Sequence, residues 1–492
     1  MSSLRCLFVD FNSYFAAVEQ YDEPRLRGRP VGVVPVLAAT TCCIAASVEA
    51  KQFGVTTGTP VWEAVERCPE IKLVEARPAR YVELHHELMD IIQCCIPHGK
   101  AESIDEVPCY LIGRERQRVS AEAIARTIKQ ALLDRFGTAI RCSIGIAPNR
   151  FLAKTASDIV KPDGLTVIEQ HELPGKLHAL ELRDLCGIGA SMECRLQKAG
   201  IHTTEQLCAA TREHLRAAWR SIEGERYWLL LRGFDLPNRE TTRGSIGHSH
   251  VLGPELRSFA GARAVLFKLV AKAAMRLRHE GYLAGRLAIR VRFVGHEQRF
   301  ERDLDFAPLD DTPSLLALLG TQFRLLECEM HERERPRQHP PLSVAVTLLN
   351  LTPRGDLTLD LIQERDRAQR LSSVLDRLNM RFGNNTVYFA AMQDAIAQDA
   401  APMRISFSKI PETALEQDFL TRKRSLAGAG ESDEERWLQR ERQFKALAEG
   451  AHREAQQRAS KRTRQSRAGA GGWSHDPRRT LAPRPGESFD LF

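Results

Sequence analysis

The run Leu7-Phe8-Val9 closed by Asp10 constrains this chain most, because it ends what reads as a fully buried strand with a charge. An apolar run without alternation at this place is expected to make a buried parallel strand. The next residues, "SYFAAVEQ", read as the start of a helix, and two aromatics, Tyr14 and Phe15, follow at once. Asp10 either caps that helix, as aspartates commonly do, or is held at the strand end for chemistry. On this stretch alone both readings stand.

A second acidic signal lies in "AESIDEVPCYL" (101–111), where Asp105 and Glu106 are adjacent within strand-like residues. Such a pair is costly to bury without a cation or donors, so a solvated surface hairpin is the ordinary alternative. Set beside Asp10, the pair makes three carboxylates that would converge on a hard divalent cation. Magnesium suits this donor type, since it binds few carboxylates and completes its shell with phosphates. In "SIGIAPNRFLAKTASDIVKPDG" (143–164), Lys154, Asp158 and Lys161 fall at i, i+4 and i+7, one helical face, and Pro162 stops the helix. Alone this is a solvated face; beside three carboxylates, a lysine there could neutralise a triphosphate.

The 492 residues allow three or four domains, and 43% hydrophobic residues can bury ordinary cores. A net charge of +7 points to an acidic partner. No apolar run approaches the roughly 18 residues of a membrane span, and no basic-then-apolar segment opens the chain. The twelve cysteines include the adjacent pairs Cys42–Cys43 and Cys94–Cys95 but no C-x-x-C. A reduced, cytoplasmic protein without disulfides or zinc is expected. Residues 1–165 alternate strands ("VGVVPV", 31–36; "TTCCIAA", 40–46; "IRCSIGIAP", 140–148) with helices (81–95 and 121–136). Residues 170–235 read as all-helical, 236–244 as a turn-rich linker, and 245–353 as a second α/β unit. Beyond about 425, few large apolar residues interrupt Arg, Lys, Glu, Gln, Ala and Gly, a composition expected to stay disordered.

In combination, "VDFNSYFAAVE", "SIDE", "SIGIAPNRFLAKTASDIVKPDG" and "LCGIGASMECRLQKAGI" resemble the Y-family (translesion) DNA polymerases, most closely the DNA polymerase IV-like branch, over about residues 4–395. The resemblance implies a multidomain α+β fold shaped as a right hand. Its palm would be 1–11 and 77–168, small fingers 12–76, a helical thumb 169–236 and a linker 237–244. A little finger (245–353), a following segment (354–395) and a largely disordered basic tail (396–492) complete it. It implies that Asp10, Asp105, Glu106 and the backbone carbonyl of Phe11 bind two Mg²⁺ ions, with Glu106 the catalytic acid. Phe15 becomes the sugar gate against a 2′-hydroxyl, and Lys51 and Lys161 contact the triphosphate. Gly187 and Gly189 sit in a helix-hairpin-helix turn whose backbone N–H groups approach a DNA phosphate. The expected partners are primer–template DNA, deoxynucleoside triphosphates and a bacterial sliding clamp; the protein would be a nucleoid-associated monomer with no membrane contact.

The chain departs from the family pattern in places. Val48 and Lys51 stand where the family carries tyrosine and arginine, and Asn12 replaces the second acid after Asp10. Valine donates no hydrogen bond, and lysine gives a point charge where arginine gives a fork. Two stretches resemble a clamp-binding peptide: the internal "DLTLDL" (356–361), with Asp356 at a position that wants glutamine, and "ESFDLF" (487–492), with Leu491 and Phe492 as anchors. The leading expectation is a low-fidelity DNA polymerase that copies past damage. The alternatives are a catalytically weak accessory protein that binds DNA and clamp, and a helix-hairpin-helix nuclease.

Overall fold

The computed structural model describes residues 4–237, 242–294, 299–332, 340–356, 366–403, 410–412 and short pieces between 438 and 453. A central sheet has the order β5-β1-β6-β7, built from β1 (Cys6–Phe11), β5 (Glu106–Tyr110), β6 (Cys142–Ala147) and β7 (Leu165–Val167). β1 runs antiparallel to β5 and β6, and every residue of β1 is buried. The strand expected to be parallel is thus antiparallel to both neighbours; its apolar run lacks alternation because both faces of the sheet are covered. On one face lie α1 (Tyr14–Asp22), α4 (Pro78–Cys95) and α5 (Arg118–Phe136), sharing a core with Leu7, Val9 and Ile144. On the other lies α6 (Arg150–Ile159), packed with Cys6, Phe8 and Ala147.

Between α1 and α4, a small three-stranded sheet has the order β3-β2-β4, from β2 (Val31–Val34), β3 (Ala45–Ala46) and β4 (Lys72–Glu75). It carries α2 (Val48–Gln52) and α3 (Val61–Arg67). The strand expected over 40–46 shrinks to Ala45–Ala46, because "TTCC" is spent on a turn with one bridge, Cys42 to Pro60. The helical unit holds α7 (Ala190–Lys198), α8 (Thr204–Ala209), α9 (Arg212–Trp219) and α10 (Glu223–Leu231). Its Leu196, Leu215 and Leu231 share one core with α6. Asn149, the N-cap of α6, donates to the carbonyls of Leu230 (2.9 Å) and Phe234 (3.0 Å) and so fastens this unit to α6.

The second α/β unit is an antiparallel sheet, order β10-β9-β11-β8, from β8 (Ser245–Val251), β9 (Tyr282–Phe293), β10 (Arg299–Leu309) and β11 (Pro341–Pro353). Leu287, Ile289 and Val291 face α11 (Phe259–His279) and α12 (Thr312–Glu332), while Arg290 and Arg292 alternate onto the open face. Beyond it, α13 (Asp366–Phe382) and α14 (Gln393–Ala397) pack on the same helices. The disordered tail expected from 396 needs correction at its described residues. The carbonyls of Ala400 and Ala401 accept from the buried Lys268 (2.5 Å) and Lys272 (2.9 Å). Met403 is buried in the core under the central sheet, and Phe444 against Leu26, Val31 and Val74. A polar composition does not stop single apolar side chains from finding a cover. Most of 404–492, with "ESFDLF", and residues 357–361 of "DLTLDL" lie outside the described residues.

One close approach holds α6 to the sheet. A Cβ at Gly145 would stand 2.0 Å from the Ala153 carbonyl oxygen and 2.4 Å from the Ser157 nitrogen, both backbone atoms that cannot swing aside. Gly145→Ala should therefore push α6 off β6 and destabilise the protein by about 2 kcal/mol or more. Thermal melting of the variant beside the parent checks this.

Candidate active site

The β1–β5 register sets Asp10 directly opposite Glu106, and the β1–β6 register sets Ser143 on its other side. Residues opposite one another in a ladder share a face, so both carboxylates leave the sheet together. Asp105, just before β5, is pinned by its backbone: its carbonyl accepts from the Phe11 N–H at 2.9 Å. Its neighbour Ile104 accepts from Nδ1 of the buried His85 at 2.7 Å.

α6 brings the counter-charge. The Lys154 ammonium donates to Asp10 Oδ2, lies 2.7 Å from Glu106 Oε1 and 3.2 Å from Asp158 Oδ2. Burial works against that ammonium, yet the charges of Asp10, Glu106 and Asp158 prevail and hold it above the usual lysine range. Lys161 lies beyond the last residue of α6, so the expected shared helical face ends at Asp158. It still joins the cluster, donating to Asp10 Oδ1 at 2.8 Å and standing 2.7 Å from Asp158 Oδ1.

Among the described residues no three His, Cys, Asp or Glu side chains already close around one metal position. The expected convergence of three carboxylates is looser than that, because the Lys154 ammonium lies between Asp10 and Glu106. That ammonium is itself a cation seated on the carboxylates. The donors are hard oxygens, which suit a hard divalent cation. Burial, followed by the charges of Asp10 and Glu106, pushes the Asp105 carboxyl up to about 6 despite a hydrogen bond from Ser103. The site is short of positive charge, and its residues fit a divalent cation.

These groups line a cavity of about 410 Å³ together with Phe11, Phe15, Val48 and Lys51. Lost solvent, and next the Lys161 charge, hold Lys51 below the usual lysine range. Phe15 is stacked on Tyr81, with centroids 4.5 Å apart and planes 13° from parallel. Tyr81 is fixed in turn: its hydroxyl donates to the buried Glu19 (2.9 Å), which also accepts from Arg77 (2.9 Å), and its carbonyl accepts from Tyr14 (2.7 Å). Next to this cavity, a cleft of about 320 Å³ is lined by Lys154, Asp158, Arg183, Gly187 and Gly189. Gly187 takes φ +86°, which favours glycine, and Gly189 caps α7 with open space where a Cβ would be.

Two residues gain roles that sequence reading missed. Asn12 lines the same cavity, but its amide is engaged elsewhere: Oδ1 accepts from the Asp163 N–H (2.8 Å) and Nδ2 donates to Ser143 Oγ (3.1 Å). It anchors the turn that delivers Lys161, work that an amide with both donor and acceptor does better than a carboxylate. Tyr81 is the backing of Phe15; only its aromatic character at the head of α4 could have signalled it.

Comparison with known proteins follows from this geometry. The impB/mucB/samB family matches residues 9–158, and the C-terminal domain of that family matches residues 243–361. DNA polymerase IV of Moorella thermoacetica is 33% identical over 398 residues, 79% of this chain and 96% of that protein. DNA polymerase IV of Pelotomaculum thermopropionicum is 31% identical over 395 residues, covering 78% and 94%. Among solved structures, a Y-family DNA polymerase chimera of Dbh and Dpo4 aligns with TM-score 0.57 at 23% identity, over 71% of this chain and 99% of that one, a likeness of fold.

The carboxyl at Asp105 has a measurable consequence. Its folded-state value near 6 exceeds the ordinary 3.8, so the folded protein holds the proton more tightly. The stability this lends is complete below about pH 4 and lost as pH rises through 6. In EDTA at pH 8, Asp105→Asn should be more stable than the parent by about 1–3 kcal/mol, discounted for partial exposure. The two should converge towards pH 4, as read by urea melts at both pH values.

Proposed function

Since the chain belongs to the impB/mucB/samB family and is a Y-family, template-directed translesion DNA polymerase of the DNA polymerase IV type, we propose that it extends a primer 3′-hydroxyl in the Asp10 cavity. One observation carries the placement. The β1 register sets Asp10 against Glu106 at the floor of a cavity of about 410 Å³, between two lysines and an aromatic stack.

In this reading Asp10, Asp105, Glu106 and the Phe11 carbonyl hold two Mg²⁺ ions, and Glu106 is the catalytic carboxylate. When bound, such ions supply the charge that activates the primer hydroxyl and stabilises the leaving pyrophosphate. Lys51 and Lys161 receive the triphosphate. Val48 lines the same cavity without a donor, so nucleotide binding rests more heavily on the two lysines. Phe15, backed by Tyr81, stands against C2′ of the sugar and leaves no room for a 2′-hydroxyl.

The units of the fold take the parts of a hand: 1–11 and 77–168 the palm, 12–76 the fingers, 169–236 the thumb and 245–353 the little finger. Gly187 and Gly189 present backbone N–H groups to a phosphate of the duplex, and the open face of the second sheet offers Arg290 and Arg292. Phosphate contacts of this type hold DNA without reading its sequence. The catalytically weak accessory remains the second reading, and Val48 is the observation in its favour.

Primer extension decides between them. The parent should extend a primer in Mg²⁺, and Asp105→Ala or Glu106→Ala should lose at least about 90% of that activity while binding primer–template normally, since phosphate contacts supply most duplex affinity. Phe15→Ala should admit ribonucleotides, and Tyr81→Ala should do so partly. An inactive parent would favour the accessory.

The clamp peptide is assigned to "ESFDLF", with "DLTLDL" secondary because Asp356 is charged where an amide is wanted. Deleting 487–492 should reduce synthesis on clamp-loaded DNA and spare synthesis on bare primer–template, because tethering acts through local concentration. A clamp pull-down in which Leu359→Ala with Leu361→Ala fails while the deletion binds would reverse the assignment.

A further inference from the structure

Both oxygens of one carboxylate at the centre of the site are already taken. Asp10 gives Oδ2 to Lys154 and Oδ1 to Lys161, the latter at 2.8 Å. Neither lysine ends there. Lys154 also reaches Glu106 at 2.7 Å, and both ammoniums share Asp158, at 3.2 and 2.7 Å. The arrangement is graded in depth: the Asp10 side chain is 6% exposed, Lys154 15%, and Asp158 and Lys161 33% and 37%.

We propose that Lys154 and Lys161 form a clasp on Asp10 that keeps the metal site closed until a nucleotide arrives, with Asp158 as the carboxylate that receives Lys154 when the clasp opens. The proposal rests on the metal site assigned above.

The charges make the clasp reversible. Asp10, Asp105, Glu106 and Asp158 face Lys51, Lys154 and Lys161, which leaves one net negative charge. A divalent ion arriving alone must compete with two ammoniums in direct contact with its ligand, and both lie nearer than any screening ion. A triphosphate changes the balance. It draws Lys161, the more exposed lysine, off Asp10 Oδ1 and adds oxygens of its own. Lys154 then needs only a short swing, since Asp158 lies one helical turn along α6 and already touches it. Before the swing the ammonium stands 5.7 Å from the centroid of the Phe8 ring. Nucleotide and metal therefore favour one another's binding. By linkage each raises the affinity of the other by the same factor, typically five-fold to a hundred-fold. The clasp gives Lys154 a positioning role and Lys161 a second one besides binding phosphate.

Manganese titrations followed by the EPR signal of the free ion test the clasp without catalysis. Without nucleotide, Lys154→Met and Lys161→Met in the full chain should each bind Mn²⁺ about tenfold more tightly than the parent. Asp158→Asn, which removes the receiving carboxylate, should bind it more weakly. With the ion chelated by the analogue alone subtracted, a non-hydrolysable deoxynucleotide analogue should tighten Mn²⁺ binding strongly in the parent and much less in Lys154→Met, which lacks the deeper arm of the clasp. Adding Asp105→Ala to Lys154→Met should abolish the gain. Lysine variants that bind Mn²⁺ no more tightly than the parent, while Asp105→Ala still abolishes binding, would overturn the clasp alone. Tight binding that survives Asp105→Ala would put the ion elsewhere and overturn both the clasp and the metal site.

Discussion

The pairing of β1 between β5 and β6 is the constraint from which the site follows. Antiparallel pairing on both sides buries every residue of the strand and leaves its carboxylate end facing Glu106 and Ser143. A slip by one residue would send Asp10 to the opposite face and replace it with an apolar neighbour. The hydrophobic pattern forbids the slip, since Leu7 and Val9 belong to one core and Phe8 to the other. Register is thus enforced by packing remote from the chemistry. Gly145 then admits α6 to backbone contact, and the helix carries Lys154 over the end of the sheet.

The site pays in stability for that arrangement. The gathered carboxylates are poorly solvated and repel one another, and the Asp105 carboxyl is raised first by burial and then by the charges of Asp10 and Glu106. Burying ion pairs seldom stabilises a fold, because desolvation offsets most of the attraction. A sheet end meant only to fold would carry apolar residues here. The excess of negative charge instead makes the site receptive to cations, and Lys154 and Lys161 offset it in part.

Much of this was legible in the sequence, and each miss has a physical cause. Asp10, Asp105, Glu106, Lys51 and Lys161 stood in local motifs, and all line one cavity. β1, β5 and β6 followed from strand-like apolar runs, and α4 and α5 from apolar spacing. Asn12 was seen only as a missing acid, because its partners Ser143 and Asp163 lie 131 and 151 residues away. Tyr81 was invisible as the backing of Phe15 for the same reason. The strand over 40–46 was overread, since β-prone residues also serve in turns when a neighbouring segment takes their hydrogen bonds. Met403 and Phe444 were lost in a polar composition, which averages away the single apolar side chain that docks.

The aromatic stack shows why such distant partners matter for selectivity. A steric gate discriminates only by the cost of displacing it, so a ring free to rotate would yield to a 2′-hydroxyl. Phe15 is not free. Tyr81 lies parallel beneath it, its hydroxyl held by Glu19 and its carbonyl by Tyr14. Glu19 is wholly buried and is matched by Arg77, which also holds Asp22 at 2.8 Å, so α1 is fastened to the N-terminal end of α4. Moving the ring means breaking charge-assisted hydrogen bonds in a buried network, whose members strengthen one another where water is excluded. In the role proposed for Phe15, discrimination at one atom of a sugar is set by how firmly α1 and the start of α4 are joined, and the ring is the end of that chain of contacts.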